Sequence, residues 1–245
     1  MHNTSANYGN LVNVCMDVWD ATTNLKESNK MAALSKDAAF WSRISRKYAA
    51  DPIRNMEGYL NTLERTKSHL KAEDSVLEIG CGTGSTALLL APHVNHITAS
   101  DLAPGMIEIA NEKRAKEGLE NVTFKVAEVL EHDPVEGGYD AVLAHNLLHL
   151  LPDLDQALEH IAKLTKSGGV FISKTVCAPE NGGFKYAMIS RLAIPIMQFF
   201  GKAPFVNFVS MSMLDRKIER AGFEILYTSD QASMLQSRYV VAQKP

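Results

Sequence analysis

The chain has 245 residues, 46% of them hydrophobic, with 28 acidic against 25 Lys/Arg side chains and a formal net charge of -3. That size and apolar share fit one catalytic-size domain with elaborations better than two equal domains, and a near-balanced charge without a Lys/Arg block disfavours a nucleic-acid partner, whose row of phosphates needs a basic footprint. Three cysteines, Cys15, Cys81 and Cys177, are odd in number and lack metal-type spacing, which sets aside a disulfide framework and a zinc site and suits a reducing, cytoplasmic location.

No basic segment leading into an apolar run opens the chain, and no apolar run is long enough to cross a bilayer, so no stable membrane insertion is expected. Residues 1–36 carry Leu11, Val14, Cys15, Val18, Thr22 and Leu25 at helical spacing. They predict an N-terminal helical extension packed on its own domain, with a homodimer contact or a lid as the alternative. From Asp37 a helix carries Phe40, Trp41, Ile44 and Tyr48 and stops before Pro52. Met56, Tyr59, Leu60, Leu63 and Leu70 continue as a second amphipathic helix ending near Lys71.

The next stretch, Ser75 to Ala91, reads as a strand (Val76, Leu77, Ile79), a loop with glycine at alternate positions (Gly80, Gly82, Gly84) and a helix start. Glycines so spaced free the backbone and leave no side chain between the loop and a ligand lying on it. A dinucleotide fingerprint would need glycine where Ser85 stands, and the Gly-Lys-Ser/Thr of a phosphate-binding loop is absent. Glu78 to Gly84 instead resembles motif I, Glu-x-Gly-x-Gly-x-Gly, of class I S-adenosylmethionine-dependent methyltransferases. The resemblance implies that Glu78, Gly80, Cys81, Gly82 and Gly84 cradle the methionine and ribose portion of S-adenosylmethionine, with Cys81 packed beneath it. The earlier Phe40, Trp41 and Tyr48 are similar to the Phe-Trp-x-x-x-x-x-x-Tyr stretch that folds across the cofactor in many small-molecule methyltransferases. Tyr48 is then a candidate pocket wall, against the plainer reading of a core aromatic.

Val94 to Ser100 is the second strand, and Asp101 stands at its tip 17 residues beyond Gly84. There a carboxylate can accept two hydrogen bonds from ribose hydroxyls, the alternative being a helix cap ahead of Pro104. Leu102 and Met106 join it as candidate cofactor contacts. Ile107 to Glu117 is a crossover helix closed by Gly118, and Val122 to Val126 is a third strand. Ala127-Glu128-Val129 stands where the family usually reads Asp-Ala. The resemblance gives Glu128 the adenine amino group and the Val129 backbone a ring nitrogen, although Glu128 also suits a solvated loop.

Gly137 to Ala144 resembles the family's fourth strand, with Asp140 structural at its mouth. The tip of that strand, Ala144-His145-Asn146, faces the cofactor's methionine portion and the acceptor in a doubly wound sheet. His145 and His149, four apart and read as one helical turn, are the candidate catalytic bases, because an unperturbed imidazole titrates near neutrality; a hydrogen-bonded structural histidine is the alternative. No cluster of oxygen ligands accompanies them, so no metal is expected and activity should survive a chelator. Leu154 to Leu164 make a helix, Lys166 to Gly169 a turn similar to the family's Lys-Pro-Gly-Gly, and Val170 to Thr175 a fifth strand. The apolar, proline-broken segment 184–213 is a candidate acceptor cap or a dimerisation helix. Leu214 and Ile218 lie on a last helix, followed by strands at Glu224-Ile225 and Ser237 to Ala242.

The expected fold is α/β: a Rossmann-like, doubly wound, seven-stranded and mostly parallel sheet with helices on both faces, its last strand antiparallel. Residues 37–245 form the methyltransferase domain. The expected activity is methyl transfer from S-adenosylmethionine to a small, partly apolar acceptor, nearest to the group that includes quinone-biosynthesis C-methyltransferases. The alternatives are methylation of a protein side chain, an S-adenosylmethionine-binding assembly factor without catalysis, and a nicotinamide-dependent oxidoreductase, which Ser85 disfavours.

Overall fold

The computed structural model describes residues 35–179, 193–231 and 236–245. The expected N-terminal helix and the first part of the expected cap lie outside them. Helix α1 covers 35–50 and α2 covers Met56–Lys67. The core then runs β1 (Ser75–Ile79), α3 (Ser85–Leu90), β2 (His96–Asp101), α4 (Pro104–Glu117), β3 (Val122–Val126), β4 (Tyr139–His145), α5 (Leu154–Leu164) and β5 (Thr165–Cys177). After it come α6 (Ile194–Phe199), α7 (Met211–Arg220), β6 (Glu224–Gln231) and β7 (Gln236–Gln243).

The seven strands stand in the order β3-β2-β1-β4-β5-β7-β6, parallel except for β7, which runs antiparallel to both neighbours. Successive residues of a strand point to opposite faces, so Val76, Ala141, Leu143 and Ile172 pack beneath α3 and α4, while Leu77, Val142, Ala144 and Phe171 pack beneath α5 and α7. Both faces are covered, which is why β1 and β4 read as continuous apolar runs rather than alternating ones. Each fully buried Leu or Ile there is worth about 1.5–3 kcal/mol of transfer free energy. Among the described residues no helix is long and apolar enough to cross a membrane.

Local signals explain the boundaries. Asn55 caps α2 by accepting from Gly58 N at 2.9 Å, and Asp153 caps α5 by accepting from Gln156 N at 3.0 Å. Pro104 opens α4, and Gly118 closes it in the left-handed conformation. Helix α2 stops at Lys67 rather than Lys71, because Ser68, His69 and Leu70 form a tightened last turn onto Glu64, Thr66 and Lys67 carbonyls. Asp140 is structural as expected: its Oδ2 accepts from Ser75 N at 2.8 Å and its Oδ1 pairs with Lys166.

The sheet order reverses between β1 and β4. Strands to one side continue outward as β2 and β3, those to the other as β5, β7 and β6. The loops leaving β1 and β4 therefore part to opposite faces and leave a crevice at the carboxyl ends.

Candidate functional site

That crevice is a cavity of about 650 Å³, lined from the tips of β1, β2, β3, β4 and β5, from α1 and α2, and from Pro204 and Phe205. Its floor begins at the glycine loop. Gly80, Gly82 and Gly84 take φ of 70°, 54° and 76°, a region glycine enters without penalty. Each glycine has a different reason. A Cβ on Gly80 would lie 2.7 Å from Leu147, while one on Gly82 would meet nothing within 4 Å. A Cβ on Gly84 would lie 2.6 Å from the Phe124 ring and 2.8 Å from Ala110. Gly84 thus serves the close approach of α3 to α4 and β3, and it is not among the residues that line the cavity. Cys81 lies buried under the loop, its N–H donating to Ser100 O at 2.8 Å, with burial pushing its thiol up.

Two carboxylates line the cavity with this loop, Glu78 buried and Asp101 half-buried. Asp101 accepts from Gly82 N at 3.0 Å with one oxygen and from Ala103 N at 2.9 Å with the other, so it ties the loop to the start of α4 and retains a lone pair on each oxygen. It caps no helix: Ala103 occupies the N-cap of α4. Burial raises its pKa against the two backbone donors. Glu78 is 2% exposed; it accepts a hydrogen bond from the Ala87 backbone, and its Oε2 has no partner among the described residues. Burial pushes it up to about 8, the neighbouring Asp101 adding to the rise. A buried carboxylate oxygen without a partner, on a cavity whose loop carries an open glycine, suits a cationic or hydrogen-bonding ligand.

Leu102, Met106, Ala127, Glu128 and Val129 continue the wall. Glu128 is partly committed: its Oε2 accepts from Leu130 N at 2.8 Å, while Glu131 accepts from Glu128 N at 2.8 Å, a reciprocal capping box on the turn Val129–Glu131. Tyr48 reaches the cavity from α1, edge-on to Trp41 with centroids 6.2 Å apart. Helix α1 is held on α4 by Arg46, which pairs with Glu108 and Glu112, and by Gly105 N donating to Ser42 Oγ at 3.2 Å.

The strand-four tip differs from its expectation. His145 ends β4 and lines the cavity; Asn146 turns the chain at φ 56° and lines it too. The chain then drives Leu147 and Leu148 into the core, and His149 sits in the tight turn Leu148–Leu150. His149 does not line the cavity. Its Nδ1 is buried without a partner among the described residues, and its carbonyl accepts from Asn207 N at 2.6 Å. The expected pair of bases on one helical turn is therefore split, because a strand end, a left-handed residue and a tight turn replace the helix. Ala144 is likewise removed from the wall: it is fully buried on the opposite face, against Leu77 and Phe171.

His145 is held neutral. Burial first, and Lys174 second, lower its pKa to about 4. The Thr66 hydroxyl donates to Thr62 O at 2.9 Å, so toward His145 Nε2, 3.4 Å away, it accepts; the ring proton is assigned to Nε2, leaving Nδ1 with a lone pair. Residues that sequence reasoning missed complete the wall: Tyr59 and Thr62 of α2, Lys174 of β5, Leu147, and Phe205, whose N–H donates to Asp37 of α1 at 3.2 Å. A lysine near the end of the mostly apolar run Val170 to Cys177 was the available signal for Lys174.

Residues 70–198 match the family model described as "Methyltransferase domain". The uncharacterized methyltransferase YcgJ of Bacillus subtilis is 30% identical over 111 residues, 45% of this chain and 44% of that protein. Its crystal structure superposes with a TM-score of 0.62 at 18% identity over 75% of this chain and 98% of that one. A malonyl-[acyl-carrier protein] O-methyltransferase of Paenibacillus is 26% identical over 210 residues, 82% of this chain and 71% of the relative. The highly reducing polyketide synthase AFT9-1 of Alternaria alternata is 29% identical over 196 residues, 69% of this chain and 6% of the synthase. The chain thus spans less than half of the YcgJ sequence and a small part of the synthase. With more than half of its length inside that family model and a doubly wound sheet of the same architecture, the chain belongs to the class I S-adenosylmethionine-dependent methyltransferases.

Proposed function

We propose that the cavity binds S-adenosylmethionine along the wall from Glu78 to Val129 and methylates a small, partly apolar acceptor held between α1, the β4 and β5 tips and Phe205. The observation that carries the reading is the orphaned Oε2 of Glu78 on the cavity that Gly82 also lines, where the Cβ direction of Gly82 is open. A cradle with a buried acceptor group and no side chain over it fits a ligand carrying an amino group. Asp101 keeps two lone pairs for ribose hydroxyls, and Glu128 with the Val129 backbone takes the adenine edge, flanked by Leu102 and Met106.

When bound, the donor supplies a methyl group on a sulfonium, an already good leaving group. The protein's contribution is then to align the acceptor, exclude water and accommodate the proton the acceptor loses. Trp41, Tyr48, Leu147 and Phe205 give the acceptor side its apolar character. His145 is the one histidine that lines the cavity among the described residues; with the ring proton on Nε2 its Nδ1 keeps a lone pair, which accepts a proton only from an acidic donor, given its low basicity. The segment 193–210 acts in this reading as the acceptor cap.

Calorimetry with S-adenosylmethionine, S-adenosylhomocysteine and NAD tests the reading. The two sulfur ligands are expected to bind and NAD is not; binding of NAD alone overturns it. Asp101→Ala is expected to weaken S-adenosylhomocysteine at least tenfold, about 1.4 kcal/mol, through loss of paired hydrogen bonds to a buried ribose.

A further inference from the structure

The acceptor side of the cavity holds a cation that the methyl-donor reading does not use. Lys174 lies on β5 directly across from His145 on β4, and Asn146 N donates to the Lys174 carbonyl at 2.7 Å. Its Nζ reaches over the β4 tip toward α2 and donates to Thr62 Oγ1 at 3.1 Å. The Thr62 proton is itself spent on Gly58 O at 2.7 Å, so this hydroxyl is oriented to accept from the ammonium. Lys174 is therefore a held, directed donor on the cavity wall, not a side chain left to solvent.

What it lacks is a counter-charge. Two other partly buried cations among the described residues have one: Arg238 binds Asp215 at 2.5 Å and Asp230 at 2.7 Å, and Lys217 binds Asp155 at 2.5 Å. Arg114 and Lys244 donate to backbone carbonyls instead, Lys244 to two of them. Lys113, the second lysine on the cavity, is fixed by Thr83 and Ser85 at 2.9 and 3.0 Å and feels Glu117. Lys174 makes no ion pair among the described residues, and nothing offsets the burial that lowers its pKa. His145, its partner across the strands, is neutral and offers no negative charge. A partly desolvated ammonium stays unpaired only at a cost, which an arriving anion relieves.

We propose that Lys174 is the subsite for a negatively charged oxygen of the methyl acceptor, so that the acceptor class is an oxygen acid bound as its anion: a carboxylate, a phenolate or an enolate. The inference rests on the methyl-donor reading of the same cavity and narrows its acceptor. It also accounts for the weak base beside it. An acceptor that enters as an anion, or whose acidity Lys174 increases, asks little of His145; a neutral ring next to the ammonium adds no competing positive charge. Trp41, Leu147 and Phe205 take the apolar remainder of such a molecule.

The test uses the protein saturated with S-adenosylhomocysteine and two probes of matched shape, 4-nitrophenol and 4-nitroanisole. The wild type is expected to bind the phenol at least tenfold more tightly than the anisole, and to shift the phenol's ionisation down by about one unit, read as phenolate absorption. Lys174→Met is expected to abolish both the preference and the shift while S-adenosylhomocysteine still binds, and Lys174→Arg to restore them in part. Equal or absent binding of the two probes to the wild type overturns the proposal, as does a preference that survives in Lys174→Met. The wild-type comparison decides without either variant. Failure of S-adenosylhomocysteine to bind the wild type overturns the donor reading and this proposal together, whereas binding of S-adenosylhomocysteine without probe discrimination overturns this proposal alone.

Discussion

The two halves of the cavity are built by different means. The half proposed for the donor is a backbone frame carrying three carboxylates, Glu78, Asp101 and Glu128: the Gly80–Gly84 loop, Gly82 N and Ala103 N held on Asp101, and the turn Val129–Glu131 closed by its own capping box, all from strands adjacent in both sequence and sheet. The acceptor half is side chain: Trp41 and Tyr48 from α1, Thr62 from α2, His145 and Lys174 from neighbouring strand tips, and Phe205 from the segment after α6. A backbone site changes only when a turn changes, whereas a side-chain site changes with single substitutions. The donor half can therefore stay constant while the acceptor half sets specificity.

The sharpest way to break this contrast is within the glycine loop itself. Gly84→Ala places a Cβ 2.6 Å from Phe124 at φ 76°, so strain and overpacking add, with an expected destabilisation of about 3 kcal/mol. Gly82→Ala meets no protein atom and should cost the fold only its φ strain, about 1 kcal/mol, while obstructing the donor. Thermal unfolding and S-adenosylhomocysteine titration of both variants should thus show opposite patterns: Gly84→Ala chiefly loses melting temperature and Gly82→Ala chiefly loses affinity. The same pattern in both variants would erase the distinction between a packing glycine and a ligand-facing one.

The difference in construction also decides what was legible beforehand. The sheet, its order of elements and the donor wall follow from short local patterns, since Glu78, Asp101 and Glu128 each stand at a strand end fixed by the residues just before it. The packing role of Gly84 was not visible because its constraint comes from Phe124 and Ala110, distant in sequence. His149 was misread because a four-residue spacing describes a helix, and the conformation of Asn146 that ends this possibility is adopted to seat Leu147 and Leu148 in the core. Lys174 became meaningful only through the pairing of β4 with β5 and the packing of α2 over both. Segment 193–210 was visible as apolar and proline-broken; its contacts to Asp37, Arg43 and His149 were not.

A second test separates the halves by pH. His132 bonds Ser100 Oγ at 2.8 Å and is 2% exposed; His145 lines the half proposed for the acceptor, and His149 sits off the cavity in the turn that follows β4. Burial lowers each to about 4, from an ordinary value near 6.5. Between those values the unfolded chain binds the proton and the folded chain does not, so stability is complete above the unfolded value and is lost as pH falls through this window. Near pH 5 the loss from His132 alone is about 2 kcal/mol. Chemical denaturation from pH 7.5 to 5 should show falling midpoints, and His132→Gln should flatten the slope; a pH-independent midpoint would contradict neutral burial.

The smallest effect concerns charge in the donor half. Glu78 is pushed up to about 8, so near pH 7 the free protein carries it largely protonated. A donor whose amino group meets the orphaned Oε2 favours the carboxylate and drives the proton off. The folded-state pKa here is raised, opposite in sign to the histidines: binding becomes easier as pH climbs toward 8, where the proton no longer has to be displaced. Titrating S-adenosylmethionine at pH 7 in two buffers of different ionisation enthalpy should reveal release of close to one proton, and Glu78→Gln should release none. Equal heats in both buffers for the wild type would mean that Glu78 keeps its proton, and that the donor wall recognises its ligand through the backbone and Asp101 without a buried ion pair.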